Sequence, residues 1–594
     1  MNPKNAKPGV RLSVALLATC ILGFAQASAA PPPRYQVVQV LIPPDEKPSG
    51  PLQVQAPIYK PHQVAIELSP DIWIASNESP QFAGITLFGS SNNEVIAQVN
   101  IDEPGVRLHG VSGGGSHEET AAELNLDEAQ PTENLNPPVP IRLNPSVCLP
   151  VVLPPGTYAP TLDGFRIKAD PHDPNHRICA PLGAEGYSRF PHGIKIDKVR
   201  ARLFQVIEHS GLKWNARRTA FEVATTAEDE AGLLLMYDIR DPRNPRIVAG
   251  FLLGSEPHEL AVNERNGLVF VGNLSDAPGV VPNIWVSVID PSAPDPYGFI
   301  DTGWGNAVHG VVVDEVLNVV FGAARVGERL LAFDGSCRPR PNLTPTEEKR
   351  MGENCILYAV DVRHPFVKQV PEAEQIFGRM NIFAGEQCLP AVLHLHDVTV
   401  DPLRHRVYAA VHLIEYPTHT GLPEERRCRE ERVAQQAIVS KPSEGLRPPP
   451  GSLFLGRWVA EVNADPLSRD FKKVSFVDLS NNYTALRAPT AADIPEHTPF
   501  DKQFVHAHFV AVDPVRDVLL VTGEETGNLG VVDTRTRKLV QVIAISKLAL
   551  GAKPNGVKPH VHGVQINKLD GSAYVTDEGQ GEIYYELVTI LKPR

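Results

Sequence analysis

Cysteine is scarce in this chain, with seven in 594 residues, and its placement removes whole classes of chemistry. No Cys-X-X-Cys and no Cys-X-X-Cys-His occurs, which argues against thiol redox exchange and c-type haem attachment. Copper–thiolate ligation has no support either. Positive charge is also short: 56 Lys and Arg stand against 69 Asp and Glu, for a formal charge of −13. An acidic protein is a poor match for nucleic acid or an anionic membrane, and those partners are set aside. A membrane span is missing too. The apolar run Leu12 to Phe24 is too short, and too soon followed by prolines, to cross a bilayer.

That run has a different reading. Lys4, Lys7 and Arg11 precede it and Ala27-Ser28-Ala29 follows, the pattern of a signal peptide with its cleavage site. Residues 1–29 are therefore expected to be removed, leaving a soluble domain over 30–594, periplasmic or secreted. Losing three positive charges and no negative one takes the formal charge to about −16. Cys20 follows Thr19, a poor match to a lipidation site. The remaining Cys148, Cys179, Cys337, Cys355, Cys388 and Cys428 are even in number, which in an oxidising compartment favours three disulfides. Pairing of neighbours would staple three insertions, although six cysteines allow many connectivities.

Against these absences stands a recurring phrase, in which histidine leads an alternating strand that ends on an acid or amide. It reads His506-Ala507-His508-Phe509-Val510-Ala511-Val512-Asp513, and again His394-Leu395-His396-Asp397-Val398-Thr399-Val400-Asp401 and His560-Val561-His562-Gly563-Val564-Gln565-Ile566-Asn567. Single-histidine versions begin at His192, His258 and His309, and a weaker one at His62. Histidine is not a strand former, so its recurrence before strands implies a repeat that brings one such position per unit to a common centre. Around His62 four short strands fit into about forty residues, the size of one propeller blade. High proline (56) and glycine (45) suit short strands and many turns.

The last unit supplies only three strands, whereas Arg34–Ile42 is a strand without a unit. Sharing one blade between the two chain ends leaves no open inner edge. The reading is all-β: a seven-bladed propeller closed by N- and C-terminal strands, with irregular insertions near 103–190, 335–355 and 414–452. Ala573-Tyr574-Val575-Thr576-Asp577, Leu520-Val521-Thr522-Gly523 and the 237–245 turn Tyr-Asp-Ile-Arg-Asp-Pro-Arg-Asn-Pro resemble the Tyr-Val-Thr-Asn family of propellers. That resemblance speaks to fold alone.

In a propeller the first strands run beside the central channel, so the histidines gather at one mouth. The ends of the second strands gather near them: Ser76-Asn77-Glu78, Gly272-Asn273, Val411-His412, Gly523-Glu524-Glu525 and Thr576-Asp577-Glu578. Imidazole suits copper, zinc, iron and nickel. His-X-His places two rings on one side of a strand about 7 Å apart at Cα, near enough to share one ion or serve two. There are more histidines than one four-coordinate ion uses. The bland alternative is a structural histidine bonding the neighbouring blade's backbone.

A histidine-lined, exported seven-bladed propeller resembles the copper-cluster enzymes of the nitrous oxide reductase and thiocyanate dehydrogenase group. The likeness rests on fold, compartment and one histidine phrase per blade, with no longer motif. Nitrous oxide reductases carry a further cupredoxin-type domain, which the 32 residues after His562 are too few to hold. The resemblance thus implies an external electron carrier, a cytochrome or cupredoxin, and a small-molecule substrate. It assigns copper, more than one ion, to His192, His309, His394, His396, His506, His508, His560 and His562. Glu256, Glu259, Asp397 or Glu524 would position a water or take its proton. Three alternatives stay open. Iron would be held as in the four-histidine carotenoid-cleaving dioxygenases, which are also propellers, and calcium as in lactonase or lyase propellers, through Asn273, Asp577 and Glu578. The third is a non-catalytic metal-binding scaffold.

One expectation can be checked before any activity is known. N-terminal sequencing of the exported protein should begin at Ala30, and a mature chain retaining Lys4 to Arg11 would remove the case for export.

Overall fold

The computed structural model describes residues 32–101, 191–275, 286–300, 308–338 and 507–545 with short breaks. It also describes 149–150, 177–178, 355–362, 392–414, 458–479, 561–577 and 587–594. The leader, Cys148, Cys179, Cys388, Cys428 and most of the insertions fall outside these residues. Every element described is a strand, and no described helix is long and apolar enough to cross a membrane.

Seven antiparallel sheets follow one another in chain order. Blade one is Pro61–Glu67, Ile72–Ser79, Phe82–Gly89 and Val95–Asn100. Blades two to six open with Pro191–Asp197, Ser255–Asn263, Val308–Asp314, Val392–Asp401 and Ala507–Asp513, and each adds three further strands outward. Blade seven is Val561–Ile566, Ala573–Asp577 and Leu587–Pro593, completed by Tyr35–Ile42 from the other end of the chain. Strands from the two ends of the described chain therefore share one sheet, with Tyr35 opposite Pro593 and Leu41 opposite Val588. Gln53–Gln55 adds a short parallel strand on the outer edge. The outer edges of blades five and six touch through a single parallel bridge, Asp478 with Lys538.

The alternation seen in sequence sends apolar side chains into the spaces between blades. Trp73 illustrates the packing: it stacks on Phe88 at 4.1 Å within blade one and meets Tyr574 of blade seven at 5.1 Å. Its indole N–H donates to Asn93, so the polar end of the buried ring is satisfied.

The acid ending each first strand has a structural task. Asp314, Asp401 and Asp513 each accept two backbone N–H groups from the turn that follows, holding that turn as an Asx turn. Arginines in these turns then reach the next blade: Arg200 donates to the Glu264 carbonyl, Arg404 to Pro514 and Arg516 to Leu569. Blade is tied to blade at the mouth remote from the histidines. Cys337 and Cys355 form a disulfide across the segment that joins the two outer strands of blade four, as neighbour pairing anticipates.

Trp73→Ala should lower stability by about 3–5 kcal/mol, the range for deleting a large buried aromatic. Guanidinium unfolding would show it as a lower midpoint, and an unchanged midpoint would mean that blades one and seven do not depend on this contact.

Candidate metal centre

Each first strand breaks register with its neighbour at the histidine. The slips fall between Pro61 and Gln63, Pro191 and Ile194, Pro257 and Leu260, Val308 and Val311, Leu395 and Val398, Ala507 and Val510, and Val561 and Val564. In six of the blades the histidine and its successor face one residue of the second strand, the arrangement of a β-bulge, which re-aims side chains. The spare backbone groups are used. Thr522 accepts the Phe509 N–H, and Thr576 accepts the Gly563 N–H while donating to the His62 carbonyl of blade one.

The consequence is a closed circle of seven imidazoles, one per blade. Ring centroids are 3.7 Å apart for His62–His192, 4.0 Å for His192–His258 and 4.1 Å for His258–His309. The circle continues with His309–His396 at 3.6 Å, His396–His508 at 3.7 Å, His508–His562 at 4.4 Å and His562–His62 at 4.0 Å. All seven are between 0 % and 3 % exposed. Next-but-one members are also near, with His62 5.9 Å from His258. Phe509 sits against one side, 4.5 Å from His562 and 5.1 Å from His508.

The residues following the histidines make a second tier, and glycine sets its pattern. A Cβ at Gly193 would lie 2.6 Å from the His258 carbonyl, and one at Gly310 would lie 2.7 Å from Asp397 Cα. Glycine in one blade therefore makes room for an acidic residue in the next. Gln63 donates to Glu259 at 2.6 Å and accepts the Ile194 N–H. Asp397 accepts the Val510 N–H across the blade five–six boundary.

Electrostatics follow from burial. Burial and then the neighbouring imidazoles of His192, His562 and His258 hold His62 well below the ordinary histidine range. A neutral imidazole is the form that ligates metal. His562 Nδ1 is 3.2 Å from the His62 carbonyl. A carbonyl only accepts, so Nδ1 carries a proton and Nε2 is the nitrogen left to face a metal. Burial raises Glu259 to about 8 and Asp397 to about 6, with Lys195 opposing both.

Of the residues assigned to copper from sequence, His192, His309, His396, His508 and His562 lie in the circle. His394 is on the same strand, paired in backbone register with His412, while His506 and His560 fall outside the described residues. Two members, His62 and His258, were visible as lone histidines before strands but stand outside that assignment. Ligand nitrogens of His62, His192 and His258 all lie within 4.8 Å of one another, close enough to share one ion. Of the proposed proton-handling groups, Glu259 and Asp397 are in the tier behind the circle and Glu524 is outside the described residues. Glu256 is half-buried with a left-handed backbone, φ 45°. Asn273, offered as a calcium ligand, donates to Ser287 on the adjoining strand.

Sequence reasoning passed over one acid. Glu208 follows the second strand of blade two, and its Oε1 is 2.6 Å from His192 Nε2 and 3.9 Å from His258 Nε2. Its position at a second-strand end was the available signal.

For the metal-free protein, Glu259 is protonated in the folded state up to about pH 8 and ionises near 4.5 once unfolded. The folded state then binds more protons across that window, so this group's contribution is full below pH 4.5 and is lost as pH rises through 8. Glu259→Gln should make the decline of the thermal midpoint from pH 4.5 to 8 shallower. An equally steep decline would show that Glu259 titrates as an ordinary carboxylate.

No protein-family model matches this chain, and no curated protein matches it. Among solved structures it is similar to the hydrazine synthase of Kuenenia stuttgartiensis, at 10 % identity and TM-score 0.40 over 88 % of this chain and 94 % of that one. It is also similar to a periplasmic gluconolactonase of Pseudomonas aeruginosa, at 8 % identity and TM-score 0.38 over 81 % and 84 %. A chain of a nidogen/laminin complex follows at 11 % identity and TM-score 0.31, over 64 % and 84 %. Likeness at this level carries nothing about activity, and the seven-bladed propeller stands on the chain's own strand pairing.

Proposed function

We propose that this protein is an exported copper-dependent oxidoreductase whose ions are held by the circle of histidines and whose electrons pass to an external carrier. The supporting observation is the circle itself, seven buried imidazoles with adjacent centroids no more than 4.4 Å apart. Nitrogen donors in this excess suit copper, and more than one ion. Calcium is a weaker fit, because it takes six to eight oxygens and the circle is built of nitrogen.

Copper bound here would supply one-electron chemistry; the remaining functions fall to the chain. Burial keeps the His62 imidazole neutral and available. The bulges fix the direction of the imidazoles, and the neighbouring blades fix their spacing, so little reorganisation accompanies binding. Phe509 makes one side of the circle apolar. Glu259 and Asp397, raised by burial, are suited to exchanging protons near neutral pH with a small substrate at the circle. A cytochrome or cupredoxin would serve as carrier, since nothing in the described residues resembles a second redox domain.

Elemental analysis of the exported, untagged protein, with a visible spectrum on the same sample, is the direct test. At least two coppers per chain are expected, and His508→Ala or His396→Ala should reduce that content. Calcium alone, or no metal uptake on reconstitution, would overturn the proposal.

A further inference from the structure

The circle of histidines is not uniform. At the contact between His192 and His258 a carboxylate is present, and on the side of His508 and His562 an aromatic ring, Phe509. Glu208 reaches this place because the second strand of blade two, Arg202–Ile207, ends one residue before it. It is 1 % exposed.

Resting on the copper reading above, we infer that His62, His192, His258 and Glu208 form one discrete three-histidine, one-carboxylate site within the circle, with Glu208 as its oxygen donor. The distances carry this. Donors about 2.0–2.1 Å from a tetrahedral ion stand roughly 3.3 Å from each other. Glu208 Oε1 lies 2.6 Å from one Nε2 and 3.9 Å from the other, values that bracket that spacing. Small shifts of the carboxylate would equalise them. The ligand nitrogens of His62, His192 and His258 fall within 4.8 Å of one another; Glu208 stands outside that group and would join it by the same small shift.

Charge points the same way. Burying a charge is costly unless it is paired or coordinates a metal, and one divalent ion would satisfy Glu208 and three imidazoles together. The site therefore takes one divalent ion of the copper or zinc class, with three nitrogen donors and one oxygen. His309, His396, His508 and His562 make up the rest of the circle. The two parts of the circle should differ in affinity and in spectrum.

The test loads metal-free, full-length mature protein with Cu(II), first at half an equivalent and then to saturation. It follows metal content by elemental analysis and the ligand set by electron paramagnetic resonance. Wild type should show a three-nitrogen, one-oxygen spectrum at one of its ions. Glu208→Gln should weaken that ion by at least about tenfold, as loss of a ligand or its immediate support does, and change its spectrum. Glu208→Asp, which keeps the charge, should retain part of the binding and covers the case in which the glutamine variant fails to fold. His508→Ala should leave this spectrum in place and reduce the remaining copper. If wild type binds copper and Glu208→Gln binds it with the same affinity and spectrum, the carboxylate is not a donor and this inference falls while the histidine circle stands. A four-nitrogen spectrum in wild type would have the same meaning. If wild type binds no copper, both readings fall together.

Discussion

Closure is the constraint on which the rest of this molecule depends. Seven radial sheets hold a common axis only if the last packs against the first, and that requires Tyr35–Ile42 to pair with Leu587–Pro593 across the whole length of the chain. Tyr35 N–H further donates to Gln541 of blade six, and Gln541 returns a bond to the Tyr35 carbonyl. Trp73 and Tyr574 then seal the seam between blades one and seven. Without that pairing Leu587–Pro593 and Tyr35–Ile42 would stand as open edges, and blade seven would lose its outer strand.

Within the closed ring, the chemistry is set by a local departure from regular sheet. A regular first strand would send alternate side chains into the two interblade spaces. The bulge adds a residue and turns the histidine out of that alternation in six blades, and a one-residue slip does so at His62. The cost of each bulge is limited because its backbone groups find partners, as with Thr522 and Thr576. Glycine at 193, 310 and 563 allows the next blade to approach, so backbone conformation and side-chain spacing are decided by the same few positions.

Much of this could be read from residue order alone. The histidine before each strand, the acid after it and the unmatched strands at the two ends carry the repeat, the blade number and the manner of closure. The choice between the histidines of each His-X-His pair could not be read, because alternation gives both the same side; only the bulge distinguishes His396 from His394. His62 and His258 were legible as repeats, but a lone histidine gives no sign of its neighbours in space. Glu208 was obscured for another reason. It belongs to the end of a second strand, where polar residues are ordinary, and its nearness to His192 depends on a turn whose length no pattern specifies. The acids closing the first strands are occupied with their turns.

The seven imidazoles are drawn from positions spread over 500 residues, from 62 to 562, and none of the seven blades holds more than one. A growing or partly folded chain therefore has no site to offer, only scattered histidines of ordinary affinity. If the circle holds an ion as proposed, its acquisition would follow assembly, and the spacing of the finished circle, more than the intrinsic appetite of imidazole, would decide which ion is accepted. Once seated, an ion touching several blades acts as a clasp on the whole ring. At a free concentration one hundred times its dissociation constant it would add about 2.7 kcal/mol to the assembled state. Cofactor supply and durability would then be the same variable, and a protein starved of its ion would be the one most readily lost to proteolysis.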